Sequence, residues 1–179
     1  MIYVFLADGF EEIEALSPVD VLRRAGVEVK TVGVTGKTVS GSHKIPVTAD
    51  IEISEATTEA LEAVVLPGGI PGTPNLEGSP EVQSFIDYCA ENGKYVCAIC
   101  AAPSILGHKG LLDGRKATAY PTFKNELGKA EATDDSVVCD GNFITAKGAG
   151  VSLKFGAMIA SKFVGEQKAM AILASMQCE

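Results

Sequence analysis

The chain of 179 residues carries 15 Lys and Arg against 23 Asp and Glu, a net charge of −8. That balance argues against a nucleic-acid binder, which needs a basic surface to displace phosphate counterions, and against a membrane-surface protein, which needs a cationic face. With 46% hydrophobic and 21% charged residues the composition fits one globular domain over residues 1–179, with a small soluble molecule as the natural partner.

Met1 to Ala7 are apolar, but no basic stretch precedes them and Asp8 ends the run far short of a signal or membrane-spanning length, so a cytoplasmic location is expected. Ile2 to Ala7 reads as a strand buried on both faces. So do Val27 to Val34, Ala63 to Leu66, Lys94 to Ile99 and Phe143 to Ala146. Between them Glu12 to Ala25, Pro80 to Asn92, Ala101 to Lys109 and Val151 to Val164 show helical spacing, with Gly26 and Gly93 as stops and Ser79-Pro80 as a helix start. Thr38 to Ile53, with Val39, Ile45, Val47, Ile51 and Ile53 broken by Gly41, Ser42 and Pro46, reads as an antiparallel excursion. In the last helix, about Glu166 to Met176, Met170, Ile172, Leu173 and Met176 belong to the core or to a subunit interface. The alternation predicts an α/β three-layer sandwich, a mainly parallel sheet with helices on both faces.

Ligands of such a sheet sit beyond the carboxyl ends of its strands, so the junctions after Ala7, Leu66 and Ile99 are where chemistry is sought. After Ile99, Cys100-Ala-Ala-Pro103 resembles a nucleophile elbow. A cysteine at a helix N-terminus has its thiolate stabilised by the dipole and free amides, which makes it nucleophilic and oxidisable, although a buried, inert thiol fits the same residues. Five cysteines, an odd number spread along the chain, do not suggest a disulfide framework. Cys97 and Cys100 spell C-x-x-C, but Cys97 falls inside the strand and no second C-x-x-C or nearby His completes a metal site, so neither a metal nor a redox pair is expected.

After Ala7, Glu11 and Glu12 read as solvated partners of the helix dipole, whereas Glu14, between Ile13 and Ala15-Leu16, faces inward toward Cys100. Partial burial raises the pKa of such a carboxyl, so it can donate a hydrogen bond to a thiolate and shuttle a proton. After Leu66, Pro67-Gly68-Gly69 lacks the G-x-G-x-x-G and Walker-A patterns; its amides, with the one after Cys100, could form an oxyanion hole, or the glycines could make only a tight turn.

Taken together, "DGFEEIEALSPVDVLRRAG", "VVLPGGIPGTPNL" and "AICAAP" resemble the ThiJ/PfpI superfamily, in the branch of the parkinsonism-associated deglycase and its bacterial relatives, over nearly the whole chain. The resemblance implies a flavodoxin-like fold, a homodimer, a reactive Cys100, a protonated Glu14 beside it, and the amides of Gly69 and Ala101 at the oxyanion site. It also implies Gly68, Tyr120 and His43 around the pocket, with the helix from Glu14 to Ala25 as the interface and Arg24 reaching the partner's pocket. Tyr120 stands where relatives with a Cys-His pair place a His, so a protease triad is not available from that position. The family turn "GPG" followed by a hydroxyl residue is Gly148 to Val151 here, "GAGV". The implied activity is a cofactor-independent glyoxalase or deglycase acting on 2-oxoaldehydes such as methylglyoxal, or on their glycated adducts. The alternative is a redox-responsive stress protein or chaperone that senses oxidants by forming a Cys100 sulfinate.

Overall fold

In β1 (Ile2–Leu6), Ile2, Val4 and Leu6 enter one hydrophobic layer while Tyr3 and Phe5 enter another, because successive side chains of a strand point to opposite faces. A computed structural model describes residues 1–178. After β1 come α1 (Glu12–Ala25), β2 (Val29–Gly33), β3 (Thr38–Ser40), β4 (Pro46–Thr48), β5 (Ile51–Glu52), β6 (Ala63–Leu66), α2 (Gly72–Glu77), α3 (Pro80–Glu91), β7 (Tyr95–Ile99) and α4 (Pro103–His108). Then follow β8 (Lys116–Ala117), a 3-10 helix at Pro121–Glu126, β9 (Glu131–Ala132), β10 (Val137–Asp140), β11 (Phe143–Ala146), a 3-10 turn at Ala149–Val151, α5 (Ser152–Val164) and α6 (Glu166–Ser175).

Seven strands form the central sheet in the order β10-β11-β7-β6-β1-β2-β5, and every pair is parallel except β10 with β11. Apolar residues of α1, α5 and α6 cover one face, and those of α3 and α4 cover the other. The layers are those expected from strands that alternate with amphipathic helices. No helix among the described residues is long and apolar enough to cross a membrane.

Two boundaries differ from the sequence reading. The excursion holds an antiparallel hairpin, β3 with β4, but Ile51 and Glu52 leave it to pair in parallel with β2 at the sheet edge. The helix after Cys100 begins at Pro103 instead of Ala101, because the chain first turns through Ala101 and Ala102. Ser79 caps α3 as expected, accepting from the Val82 amide at 3.3 Å. Ile172 and Leu173 are buried, whereas Met170 of the same helix is exposed.

The helix that carries Glu14 is fixed against α5 by a close backbone approach. A Cβ at Gly156 would lie 2.9 Å from the Pro18 Cα and 3.2 Å from the Val21 Cβ. Gly156→Ala is therefore expected to destabilise the fold by about 1–3 kcal/mol through overpacking, against up to ~1 kcal/mol gained from the higher helix propensity of Ala. A lower urea midpoint at unchanged slope is the readout, and an unchanged midpoint would show that the two helices can part at no cost.

Candidate active site at the strand ends

The strand order reverses beside β1: the chain moves outward to β2 and β5, then returns to place β6 and β7 on the other side. The loops at such a reversal diverge and leave a crevice beyond the carboxyl ends. Three segments meet there: Asp8–Glu11 after β1, Pro67–Pro71 after β6, and Cys100–Ala102 after β7.

Cys100 is a non-glycine residue at φ 66°. That conformation costs on the order of 1–2 kcal/mol, because Cβ crowds the carbonyl. Hydrogen bonds hold it on both sides: the Cys100 N–H donates to the Ala146 carbonyl at 2.8 Å, and its own carbonyl accepts from the Tyr120 N–H at 2.8 Å. Gly68 lies directly against it. A Cβ there would stand 2.8 Å from the Cys100 Cβ and 2.7 Å from Glu14 Oε2, so any side chain would separate acid and thiol.

Glu14 is 1% exposed, and its Oε2 accepts the Gly68 N–H at 2.9 Å. Burial pushes the carboxyl up to about 7 and the charge of Glu11 adds to this, while hydrogen bonds from Cys100 and from the amides of Gly68 and Ala149 pull the other way. The raised carboxyl is the one foreseen from the sequence. The thiol is not lowered as the helix N-terminus suggested: burial, the Glu14 carboxylate and its hydrogen bond push Cys100 up to about 12, against one favourable amide, that of Ala101. The reason is local, since α4 starts three residues later and two carboxylates face the sulfur.

The amides of Gly69 and Ala101 have no carbonyl partner among the described residues, whereas the Gly68 amide is taken by Glu14. Gly69 has φ 94°, and a Cβ on it would stand 2.4 Å from the Gly9 carbonyl oxygen, so only glycine fits. Tyr120 is brought to the site by its bond to the Cys100 carbonyl, and its ring lies 3.6 Å from the Cβ position of Gly148. His43 is on the tip of the β3–β4 hairpin, exposed, with Nδ1 2.9 Å from Glu12 Oε2. Arg24 is at the other end of α1, paired with Asp20 at 2.8 Å, and does not approach Cys100 of its own chain.

Glu11 and Glu12 are not the solvated pair expected. Glu11 Oε2 caps α1 by accepting the Glu14 N–H at 2.8 Å. Glu12 is buried and holds the hairpin tip, accepting from the amides of His43 and Ile45 and from the Ser42 hydroxyl. The pattern of acids along the helix carries no sign of the hairpin that packs over it. Donor atoms of Glu11, Glu12 and His43 lie within 4.8 Å of one another, but a cation there would have to displace the donors that already occupy Glu12. The amide of Ala149 beside Glu14 was also missed, and nothing in "GAGV" marks it. A groove of about 910 Å³ runs beside this site between α1, α5 and α6, with Ile13, Ala149, Met158 and Met170 along it.

The sequence profile described as the DJ-1/PfpI family matches residues 1–162. Protein dj-1beta of Drosophila melanogaster is 35% identical over 168 residues, covering 92% of this chain and 90% of the relative. The Parkinson disease protein 7 homolog of Danio rerio is 33% identical over 97% of this chain and 94% of its own. Protein DJ-1 homolog B of Arabidopsis thaliana is 38% identical over 94% of this chain, which spans only 39% of that longer relative. Among solved structures, Drosophila melanogaster DJ-1beta superposes with a TM-score of 0.94 at 33% identity, covering 99% of this chain and 97% of that one. A DJ-1 superfamily protein from Salmonella typhimurium gives 0.93 at 34%, covering 99% and 98%.

A carboxyl that titrates higher folded than unfolded stabilises the protein only while it stays protonated. That contribution is complete below the free carboxyl value and is lost as pH rises through about 7. Glu14 is therefore expected to cost the folded state about 3 kcal/mol between pH 4.5 and 8, and Glu14→Gln should remove that slope from urea titrations. An identical pH dependence in the two proteins would mean that Glu14 is not held up by burial.

Proposed function

We propose, starting from the fact that the chain belongs to the DJ-1/PfpI family, that it is a cofactor-independent cysteine enzyme acting on 2-oxoaldehydes of the methylglyoxal class or their early adducts. The observation that carries this reading is a buried carboxyl and a thiol at a strained elbow, both packed against Gly68, beside two backbone amides without carbonyl partners.

With the thiol held up to about 12, the nucleophile is made at the moment of attack. The Glu14 carboxylate takes the Cys100 proton as sulfur bonds to the aldehyde carbon, and the amides of Gly69 and Ala101 receive the charge that develops on oxygen. Glu14 returns the proton to that oxygen, giving a hemithioacetal. It then removes the C1 hydrogen to give an enediolate, the hydroxyl proton on O1 passes to O2, and Glu14 delivers its proton to C2, leaving a thioester. Water cleaves the resulting thioester, releasing a 2-hydroxy acid and restoring the thiol. The sum is aldehyde plus water to hydroxy acid, with no external oxidant or reductant. Oxidant sensing through a Cys100 sulfinate finds less support, because peroxide attacks the thiolate and this thiol is raised.

The working unit on this reading is a homodimer. Ile13 and Leu16 are exposed one helical turn apart on α1, and Met170 is exposed on α6 across the groove. A second copy would cover this face, and Arg24 would approach the partner's pocket. In sedimentation, the double substitution Ile13→Glu and Met170→Glu should shift the protein to monomer; an unchanged assembly would put the interface elsewhere.

For the chemistry, methylglyoxal conversion to lactate is expected to fall to background in Cys100→Ser and by about 10²–10⁴-fold in Glu14→Gln. In the unaltered protein kcat/KM should rise as pH climbs through about 7, the value at which Glu14 becomes the base. Conversion by Cys100→Ser at the unaltered rate would overturn the mechanism.

A further inference from the structure

Three short helices leave the site from the three backbone positions that build it. The carbonyl of Gly69 accepts the Thr73 amide and so begins α2; the carbonyl of Ala101 accepts the Ser104 amide and hydroxyl at the start of α4; the carbonyl of Tyr120 accepts the Phe123 amide in the 3-10 helix. Six residues of each carry the chain on the order of 10 Å away. At the far ends stand Glu77, His108 and Glu126, the last residues of α2, α4 and the 3-10 helix. His108 joins them, with Nδ1 2.6 Å from Glu77 Oε1 and Nε2 3.3 Å from Glu126 Oε2. Gly107 lets α4 reach the 3-10 helix, since a Cβ there would stand 2.1 Å from the Glu126 carbonyl oxygen.

We propose that His108 is a positioning residue for the Cys100 site: as an imidazolium it ties together the far ends of the helices that set Gly69, Cys100 and Tyr120, and as a neutral ring it releases one of them. An imidazolium donates from both nitrogens, one to each carboxylate. Neutral imidazole has a single N–H, so one carboxylate then faces a lone pair. The charged groups against the ring are Glu77 from α2 and Glu126 from the 3-10 helix. The neighbouring Lys109 is engaged by Asp87 of α3 at 2.8 Å, and Lys124 by Asp134. The two carboxylates hold His108 above the usual imidazole value. A raised cationic group contributes its stabilisation in full below the free value of about 6.5 and loses it as pH rises through the folded value, so the tie loosens toward alkaline pH. The ring is nearly half exposed, which limits the effect to local order, away from global stability.

The consequence for turnover rests on Cys100 reacting as proposed above, but the readouts of the tie do not. The chain has two histidines, so the His108 ring can be assigned by NMR against His43→Gln. A single N–H stays with the shorter contact to Glu77, so amide exchange of residues 122–127, corrected for intrinsic rate, should speed several-fold between about pH 6 and 9 with the midpoint of the His108 ring, and the same response should persist in Glu14→Gln. In His108→Gln, and independently in Glu126→Gln, the residue 122–127 response should flatten. Iodoacetamide alkylation of Cys100 should differ several-fold between His108→Gln and the unaltered protein at about pH 6 and converge at about pH 9, a pH dependence that a purely structural contact would not produce. Exchange that is flat across the His108 titration, or that keeps its pH response in both variants, overturns the proposal. Exchange that follows His108 in a protein that converts no aldehyde would leave the tie standing and remove the enzyme reading.

Discussion

The placing of the Glu14 carboxyl and the Cys100 side chain together against Gly68 is the constraint that the site is built around. Acid, glycine and thiol come from three adjacent strand ends of the sheet order, β1, β6 and β7, and adjacent strands stand about 4.8 Å apart. The middle position must therefore carry no side chain. Burial raises both groups, and the Glu14 carboxylate raises the thiol further, while the hydrogen bond from Cys100 draws the carboxyl down. Losing a proton to water is harder for either one than for its free counterpart, whereas passing it between them leaves the charge of the pair unchanged. A site of this kind keeps its proton until a substrate takes the electron pair on sulfur.

Control of the thiol lies with the carboxyl because of the elbow. Cys100 at φ 66° sends the chain through two alanines before α4 can begin, so the dipole expected to lower the thiol acts from a helix three residues away and six residues long. Dipole effects fall off within a turn. What remains beside the sulfur is one amide and two acids. The strain itself is held by neighbours on both sides, Ala146 of β11 and Tyr120 of the loop after β8, so the geometry of the nucleophile depends on elements far apart in sequence.

This explains which parts were legible in the chain. Central strands were readable because each residue enters one of two apolar layers, and Glu14 and Cys100 because strand ends in this architecture are predictable sites. The short helix α2 was not, since two of its six residues are Gly72 and Pro74, which disfavour helix, and β10 was not, since it is a half-exposed edge strand of four residues. Ile51 and Glu52 read as part of the antiparallel excursion because their pairing with β2 has no local signature. The setting of His108 has no local signature either: Glu77 and Glu126 lie 31 and 18 positions away, and only the folded chain brings them to its two nitrogens.

The three acids after β1 show how one charge pattern divides in space. Successive helical residues turn by about 100°, so Glu11 and Glu14 share a face while Glu12 points away toward the hairpin. Glu11 occupies the N-cap, where its carboxylate accepts the Glu14 amide and is stabilised by the helix dipole. The same placement turns its charge on the Glu14 carboxyl and helps to raise it. Capping the helix and tuning the acid are thus one interaction. A neutral cap of the Ser or Asn type would satisfy the amide equally well, but would leave Glu14 easier to ionise, and so a weaker base toward a buried thiol.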